Sequence, residues 1–312
     1  MRWVLLLLLI TACADVREVR VTRAAMGTDV TIIAYHEDRR IAAEAVNLAF
    51  DEISRLEKIF GPTNGTAVSQ LNTEGFLADP PPELLEVLRL SQQYSNASAG
   101  SFDITVQPVL DLYKYTFEQF GRPPNETEIQ DALRHVGYQN VIVNENVTLL
   151  NDARITVGGI AKGYIVDKAS DVLRSQGISH GLVNGGGDIM AIGGKPDGSP
   201  WTVALQNPRN RSDYVAIIEI QNKAVATSGD YERYFVNKTY HHIIAPNTGR
   251  SADEMISVTV VSNSAVSADA IATAAFVAGH NGRWLIESLG SEGLIIDANR
   301  TVMVTRGFRE KI

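Results

Sequence analysis

The chain reads as an α+β protein, with mixed and antiparallel sheets and packed helices in a single compact domain. Three observations predict this. Helical spacing dominates the first half, short β-branched runs dominate residues 181–261, and helices return after residue 267. Strands and helices arranged in blocks, not in regular βαβ alternation, indicate α+β. No repeat, low-complexity run or linker divides the sequence, so one large domain accounts for it.

In order along the chain, residues 19–34 read as strand, interrupted at Met26-Gly27-Thr28. Residues 39–60 place Ile41, Ala45, Leu48, Ile53 and Leu56 at helical spacing and stop at Gly61-Pro62. A second helix spans 82–94, with proline near its start, and a third opens over 101–112. After a polar loop at 121–125, a short helix runs over 126–135 and closes at Gly137. Residues 141–143 and 147–150 form a hairpin, and 158–177 a helix with a glycine-rich entrance. Strands follow at 182–183, 189–192, 201–206, 214–220, 224–227, 231–236, 240–244 and 257–261. Helices at 267–278 and 283–289 and a hairpin of 294–297 with 301–305 complete the order.

Composition is that of a globular protein, 45% hydrophobic and 21% charged. A formal charge of −8 argues against nucleic acid as a partner, because phosphate backbones select basic surfaces. Residues 1–12 read as a lipoprotein signal peptide, whose apolar run is too short to span a bilayer. Thr11-Ala12-Cys13 resembles a bacterial lipobox, which predicts lipidation at Cys13, a tether over 13–20 and the domain over 21–312. Cys13 is the sole cysteine, so disulfides and thiol catalysis are excluded from the domain.

Four constellations could carry chemistry. The entrance Gly158-Gly159-Ile160-Ala161-Lys162-Gly163 is either an anion site, with free N–H groups and a lysine, or a tight turn. Asn184-Gly185-Gly186-Gly187-Asp188 is either a sharp turn or a close approach to a ligand. Asp269 and Thr273 lie four apart on a helix and share a face. They suit Mg²⁺ with further oxygens, or Asp269 simply offsets a helix dipole. Finally, residues 226–249 gather hydroxyls, Asp230, Arg233, aromatics and the pair His241-His242. In a strand, adjacent residues face opposite sides, so only one histidine of the pair can enter a given site. No second Cys or His cluster supports zinc.

Taken together and in order, these blocks resemble the ApbE family of FAD:protein FMN transferases. The resemblance rests on Met26-Gly27-Thr28, Ser101 through Pro108, Gly158 through Asp167, Val183 through Asp188, Thr227 through Phe235, His242 through Gly249, Ser257 through Val261, and Ala268 through Thr273. It implies a T-fold-related catalytic domain that cuts FAD, releases AMP and joins FMN to a threonine of a partner protein. It implies Met26, Ser101, Phe102, Asp103, Thr156, Lys162 and Ile244 as FAD contacts, and Asp269, Thr273 and the Gly159 carbonyl as Mg²⁺ ligands. His242 matches the family's site histidine, with Asp230 as a catalytic neighbour. It further implies a lipid-anchored protein on the periplasmic side of the inner membrane, with threonine-bearing subunits of membrane redox complexes as acceptors. Two departures stand out. Thr156-Val157 replaces Asp-Leu, and Pro62 replaces an aromatic. The same motifs also suit an FAD pyrophosphatase, and a non-enzymatic FAD-binding lipoprotein is a third reading.

Overall fold

The centre of the molecule is an eight-stranded sheet whose neighbours all pair antiparallel. The computed structural model describes residues 16–61 and 63–310; the signal peptide, Cys13 and Pro62 lie outside them. The first hairpin joins β1 (Arg17–Ala25) to β2 (Thr28–His36). Its two-residue turn, Met26-Gly27, has φ of 54° and 70°, as a tight hairpin between right-twisted strands requires. β1 begins inside the segment read as tether, so residues 17–20 belong to the sheet.

Next come α1 (Arg39–Phe60), α2 (Ala67–Glu74), β3 (Phe76–Leu77) and α3 (Pro82–Ala97). Asp38 caps α1 by accepting from Arg40 N–H, and Thr66 caps α2 by accepting from Ser69 N–H. Sequence periodicity misses α2 because it has only two turns. The helix expected from residue 101 starts later, as α4 (Gln107–Phe120). Asp103 accepts from Thr105 N–H at 2.7 Å and holds residues 101–103 as a loop ahead of a single 3₁₀ turn. α5 (Glu126–Leu133) starts with a reciprocal Asn125–Glu128 capping box. Strands β4 (Val141–Val143) and β5 (Val147–Leu149) form a small sheet with β3.

The remaining elements are α6 (Ala161–Ser175), β6 (His180–Gly185), β7 (Ile189–Ile192), β8 (Trp201–Asn207), β9 (Asn210–Ile220) and β10 (Ala224–Gly229). They are followed by β11 (Ile244–Ala245), β12 (Arg250–Ser251), β13 (Met255–Ser262), α7 (Ala265–Val277), α8 (Gly282–Ser288), β14 (Glu292–Asp297) and β15 (Val302–Val304). The large sheet has the order β1-β2-β6-β7-β10-β13-β14-β15. Strands expected over 231–236 and 240–244 are absent. That stretch is an irregular loop with one bridge between Tyr234 and His241. The aromatic alternation that suggests a strand serves another purpose. Phe235 stacks on Tyr113 at 5.4 Å and Tyr240 meets Phe117 at 5.2 Å, pinning the loop to α4.

The sheet is covered on both faces. Ala224, Ala226, Val258 and Val260 pack toward α1, α6 and α7, while Val225, Ile189 and Leu294 pack toward the β8–β9 hairpin. Every residue of β13 is buried, and its hydroxyls are partnered: Ser257 with Tyr231, Thr259 with Thr227 and Ser262 with Ser291. α7 is buried almost all round and rich in alanine, so neighbours can approach closely. α6 crosses it at Gly163, where a Cβ would come within 2.3 Å of the Ala265 carbonyl oxygen.

Candidate active site

A cleft of about 650 Å³ opens where β10, α6, α7, the loop after α3 and the β8–β9 hairpin converge. Its deep end is the entrance to α6. No side chain caps that helix, and Lys162 reaches into the cleft. Lys162 Nζ lies 2.9 Å from Asp188 Oδ2. Burial alone would depress its pKa, but Asp188 and Asp269 outweigh that and raise it, so the ammonium stays charged.

Asp269 sits on the buried face of α7 and accepts from Gly163 N–H at 3.1 Å. Burial, then repulsion from Asp188, pushes its carboxyl well above the usual carboxylate range. Thr273, one turn on, exchanges a hydrogen bond with Ser228 Oγ at 3.1 Å. Gly159 abuts it so closely that a Cβ there would stand 3.0 Å from Thr273 Oγ1. The helical spacing therefore does place Asp269 and Thr273 together, and both line the cleft.

These residues fit a hard divalent cation. Two buried carboxylates, Asp188 and Asp269, share one lysine, whose Nζ pairs with Asp188 Oδ2 at 2.9 Å. Positive charge is thus in deficit. Among the described residues no group of three or more His, Cys, Asp or Glu could hold a metal. A cation bound here would draw on Asp269, the Thr273 hydroxyl, the Gly159 carbonyl and oxygens of a bound ligand, oxygen donors that would suit Mg²⁺ and not zinc.

The histidine pair divides as residue alternation requires, although the segment is a loop. His241 is buried; its Nε2 donates to the Ala252 carbonyl at 2.9 Å and its Nδ1 accepts from Ile243 N–H at 3.2 Å. Both nitrogens are used, so His241 is structural. His242 lines the cleft. Its Nδ1 lies 2.9 Å from the Arg233 carbonyl, which only accepts, so Nδ1 carries the hydrogen and Nε2 keeps its lone pair. Burial pushes its pKa down to about 4, with His241, Arg233 and Lys162 adding to the effect. The ring is neutral at physiological pH and able to take a proton.

Ser101, Phe102, Asp103, Thr156 and Ile244 all line the same cleft. Asp103 is tied to its own loop, with Oδ1 accepting from the Thr105 hydroxyl and Oδ2 from Tyr138 N–H at 2.8 Å; burial raises its pKa. Thr156 Oγ1 accepts from Gly158 N–H at 3.3 Å. The threonine thus makes the local turn that a carboxylate could make, without adding charge.

Two expected site residues do not face the cleft. Asp230 forms a bidentate pair with Arg209, at 2.8 and 2.6 Å. It latches the β8–β9 turn to the end of β10, which removes it from acid–base work in the cleft. Met26 forms the turn of the first hairpin, its N–H donating to Glu57, while its neighbours Gly27 and Thr28 reach the cleft. Sequence reading also misses Val203 and Leu205, which line the wall opposite the helices. Only the packing of β8–β9 across the sheet brings them there.

Sheet, crossed helices and a cleft that brings Lys162, Asp269, Thr273 and His242 together define the class: an α+β domain with a polar cleft at the helix crossing. The ApbE family model matches residues 26–295. The chain belongs to the ApbE family. A FAD:protein FMN transferase of Vibrio cholerae is 35% identical over 207 residues, covering 63% of this chain and 61% of that protein. The match therefore spans about three fifths of that relative's length. A FAD:protein FMN transferase of Klebsiella pneumoniae is 28% identical over 264 residues, 80% of this chain and 79% of that protein. Among solved structures, the ApbE protein of Thermotoga maritima aligns with a TM-score of 0.85 at 31% identity, covering 93% of this chain and 97% of its own. The apo flavinyl transferase ApbE of Pseudomonas stutzeri aligns with a TM-score of 0.82 at 26% identity, covering 93% and 95%.

Proposed function

We propose that this chain is a Mg²⁺-dependent FAD:protein FMN transferase, moving FMN from FAD to a threonine hydroxyl of a partner protein and releasing AMP. The observation that carries the reading is the convergence in one cleft of Lys162, Asp269 and Thr273 with the free Nε2 of His242. The acceptor oxygen attacks the FMN phosphorus and forms a phosphoester. The bond from that phosphorus to the bridging oxygen breaks, and AMP leaves with the bridging oxygen. The acceptor proton passes to His242 Nε2. Lys162 holds phosphate oxygens, and the wall of Ser101, Phe102, Asp103, Thr156 and Ile244 orients the flavin nucleotide. Asp269, Thr273 and the Gly159 carbonyl would hold Mg²⁺, which would supply charge neutralisation at the pyrophosphate.

The setting is the periplasmic side of the bacterial inner membrane. A lipid on Cys13 forms the anchor, and the acceptors are threonine-bearing subunits of membrane redox complexes. Among the described residues no helix is long and apolar enough to cross a membrane. The test incubates the soluble domain with FAD, Mg²⁺ and a threonine-bearing acceptor, following AMP and protein-bound flavin fluorescence. Covalent flavin supports transfer. AMP without labelled protein points to a pyrophosphatase, and FAD retained with neither product points to a binding lipoprotein.

A further inference from the structure

The large sheet comes apart inside the cleft. β10 pairs with β13 along its whole length, from Ala224↔Ser262 to Gly229↔Ser257. On its other side it pairs with β7 only at Ala224↔Met190 and Val225↔Ile189. Beyond Ile189 the neighbouring chain turns away through Gly185, Gly186, Gly187 and Asp188, with Gly186 pressed against Thr28 on β2. Residues 226–229 therefore run along an open sheet edge, and Thr227, Ser228, Gly229, Gly186 and Gly187 all line the cleft between.

The direction of the edge groups follows from the ladder. Asp230 N–H donates to the Ile256 carbonyl, so 230 and 256 form a hydrogen-bonded pair. Antiparallel alternation then turns the N–H and C=O of Thr227 and Gly229 away from β13. The bond from Ala191 N–H to the Lys223 carbonyl has the same parity. These groups open into the gap that β7 vacates. Across it, a Cβ at Gly187 would meet nothing within 4 Å.

We infer that this edge receives the acceptor polypeptide as an added strand. The inference rests on the transfer reading above. That reaction needs a chain segment to deliver a hydroxyl beside Asp269 and His242, and the open edge is continuous with both. Strand addition uses backbone bonds for affinity and alternate side chains for specificity. The two faces of β10 differ as such a reader requires. Ser228 points toward Thr273 on the helix side, whereas Val225 packs with Ile189, Val203 and Leu205 on the hairpin side. A residue lying opposite Ser228 thus presents its hydroxyl to the transfer centre, and its two neighbours present side chains to the apolar wall. The substrate class is an extended segment with a hydroxyl residue flanked by apolar residues.

The test uses the soluble domain with FAD, Mg²⁺ and the peptide Val-Ala-Val-Thr-Val-Ala-Val, capped at both ends, with single N-methyl groups placed along it. A folded carrier protein bearing the same segment in an exposed loop runs in parallel. The residues flanking the threonine bond to Thr227 and Gly229, while the threonine N–H points away from β10. N-methylation of a flanking valine should lower kcat/KM for labelling about tenfold, the worth of one backbone bond in a desolvated edge. N-methylation of the threonine should cost less than about twofold. Labelling insensitive to the position of the methyl group overturns strand addition. AMP release without labelling of peptide or carrier points to a pyrophosphatase and overturns the transfer reading on which strand addition rests. FAD left intact in every mixture overturns the transfer reading itself.

Discussion

The two ends of the cleft are built by different means. The phosphate end is made of regular helices: α6 crosses α7 at Gly163, Asp269 is locked to the Gly163 N–H, and Asp167 on α6 accepts from Ala265 and Val266 N–H at 2.8 and 2.9 Å to cap α7. The histidine end is an irregular loop. It has one bridge, an aromatic clamp on α4 and the Arg209–Asp230 latch. Charge stabilisation requires oxygens fixed within fractions of an ångström, which packed helices supply. A wall past which substrates enter is better made of a segment held by separable contacts. The motif residues therefore do unequal work: some line the cleft, and others, such as Asp230, hold its wall in place.

The sharpest break of this contrast is Asp269→Asn. Activity should fall about 10³-fold, as when a main transition-state charge contact is lost. Thermal stability should hold or rise, because Asn keeps an acceptor for Gly163 N–H and removes a buried carboxylate that faces Asp188. A destabilised variant with retained turnover would overturn the assignment. His242→Ala comes next, with an expected loss of about 10²-fold in kcat. Its pH signature is specific. The ring's pKa is depressed from 6.5 to about 4, so the acid limb of kcat/KM due to this group should turn over near pH 4. Stability linked to it is complete above about pH 6.5 and declines as pH falls toward 4, because the unfolded chain binds the proton first. An acid limb from His242 near 6.5 would show that it titrates as a solvated imidazole.

Gly163→Ala tests the helix crossing. Its Cβ would stand 2.3 Å from a backbone oxygen, and overpacking of this kind costs about 2 kcal/mol, read as a lowered urea midpoint with metal response also impaired. The smallest effect belongs to the latch. Arg209→Ala should cost about 1 kcal/mol, since the pair is partly exposed. It should lower kcat more than it alters FAD binding, because Arg233, which orients His242, lies just beyond Asp230. A double-mutant cycle with Asp230→Ala should show coupling; additive losses would mean that no latch exists.

Much of the phosphate end is legible in the residues alone. Asp269 and Thr273 share a face by helical geometry, and the glycines before Lys162 mark a helix entrance without a cap. The histidine end is less legible. Alternation within Tyr231–Phe235 suggests a strand, yet the segment makes a single bridge, Tyr234 to His241, and the Phe235 ring is taken by Tyr113 and Phe117. Asp230 reads as an acid because its partner Arg209 stands 21 positions away, in a turn whose placement depends on the hairpin docking across the sheet.

The sequence alone carried the α+β class, most element positions and most of the chemistry-bearing residues that line the cleft. Those properties follow from periodicity, caps and local side-chain chemistry over a few residues. Only the tertiary structure decided that the Nε2 of His242 is the free nitrogen, that Asp230 pairs with Arg209, and that β10 leaves an open edge in the cleft. Each of these depends on pairing between segments far apart in the chain, which no local pattern encodes.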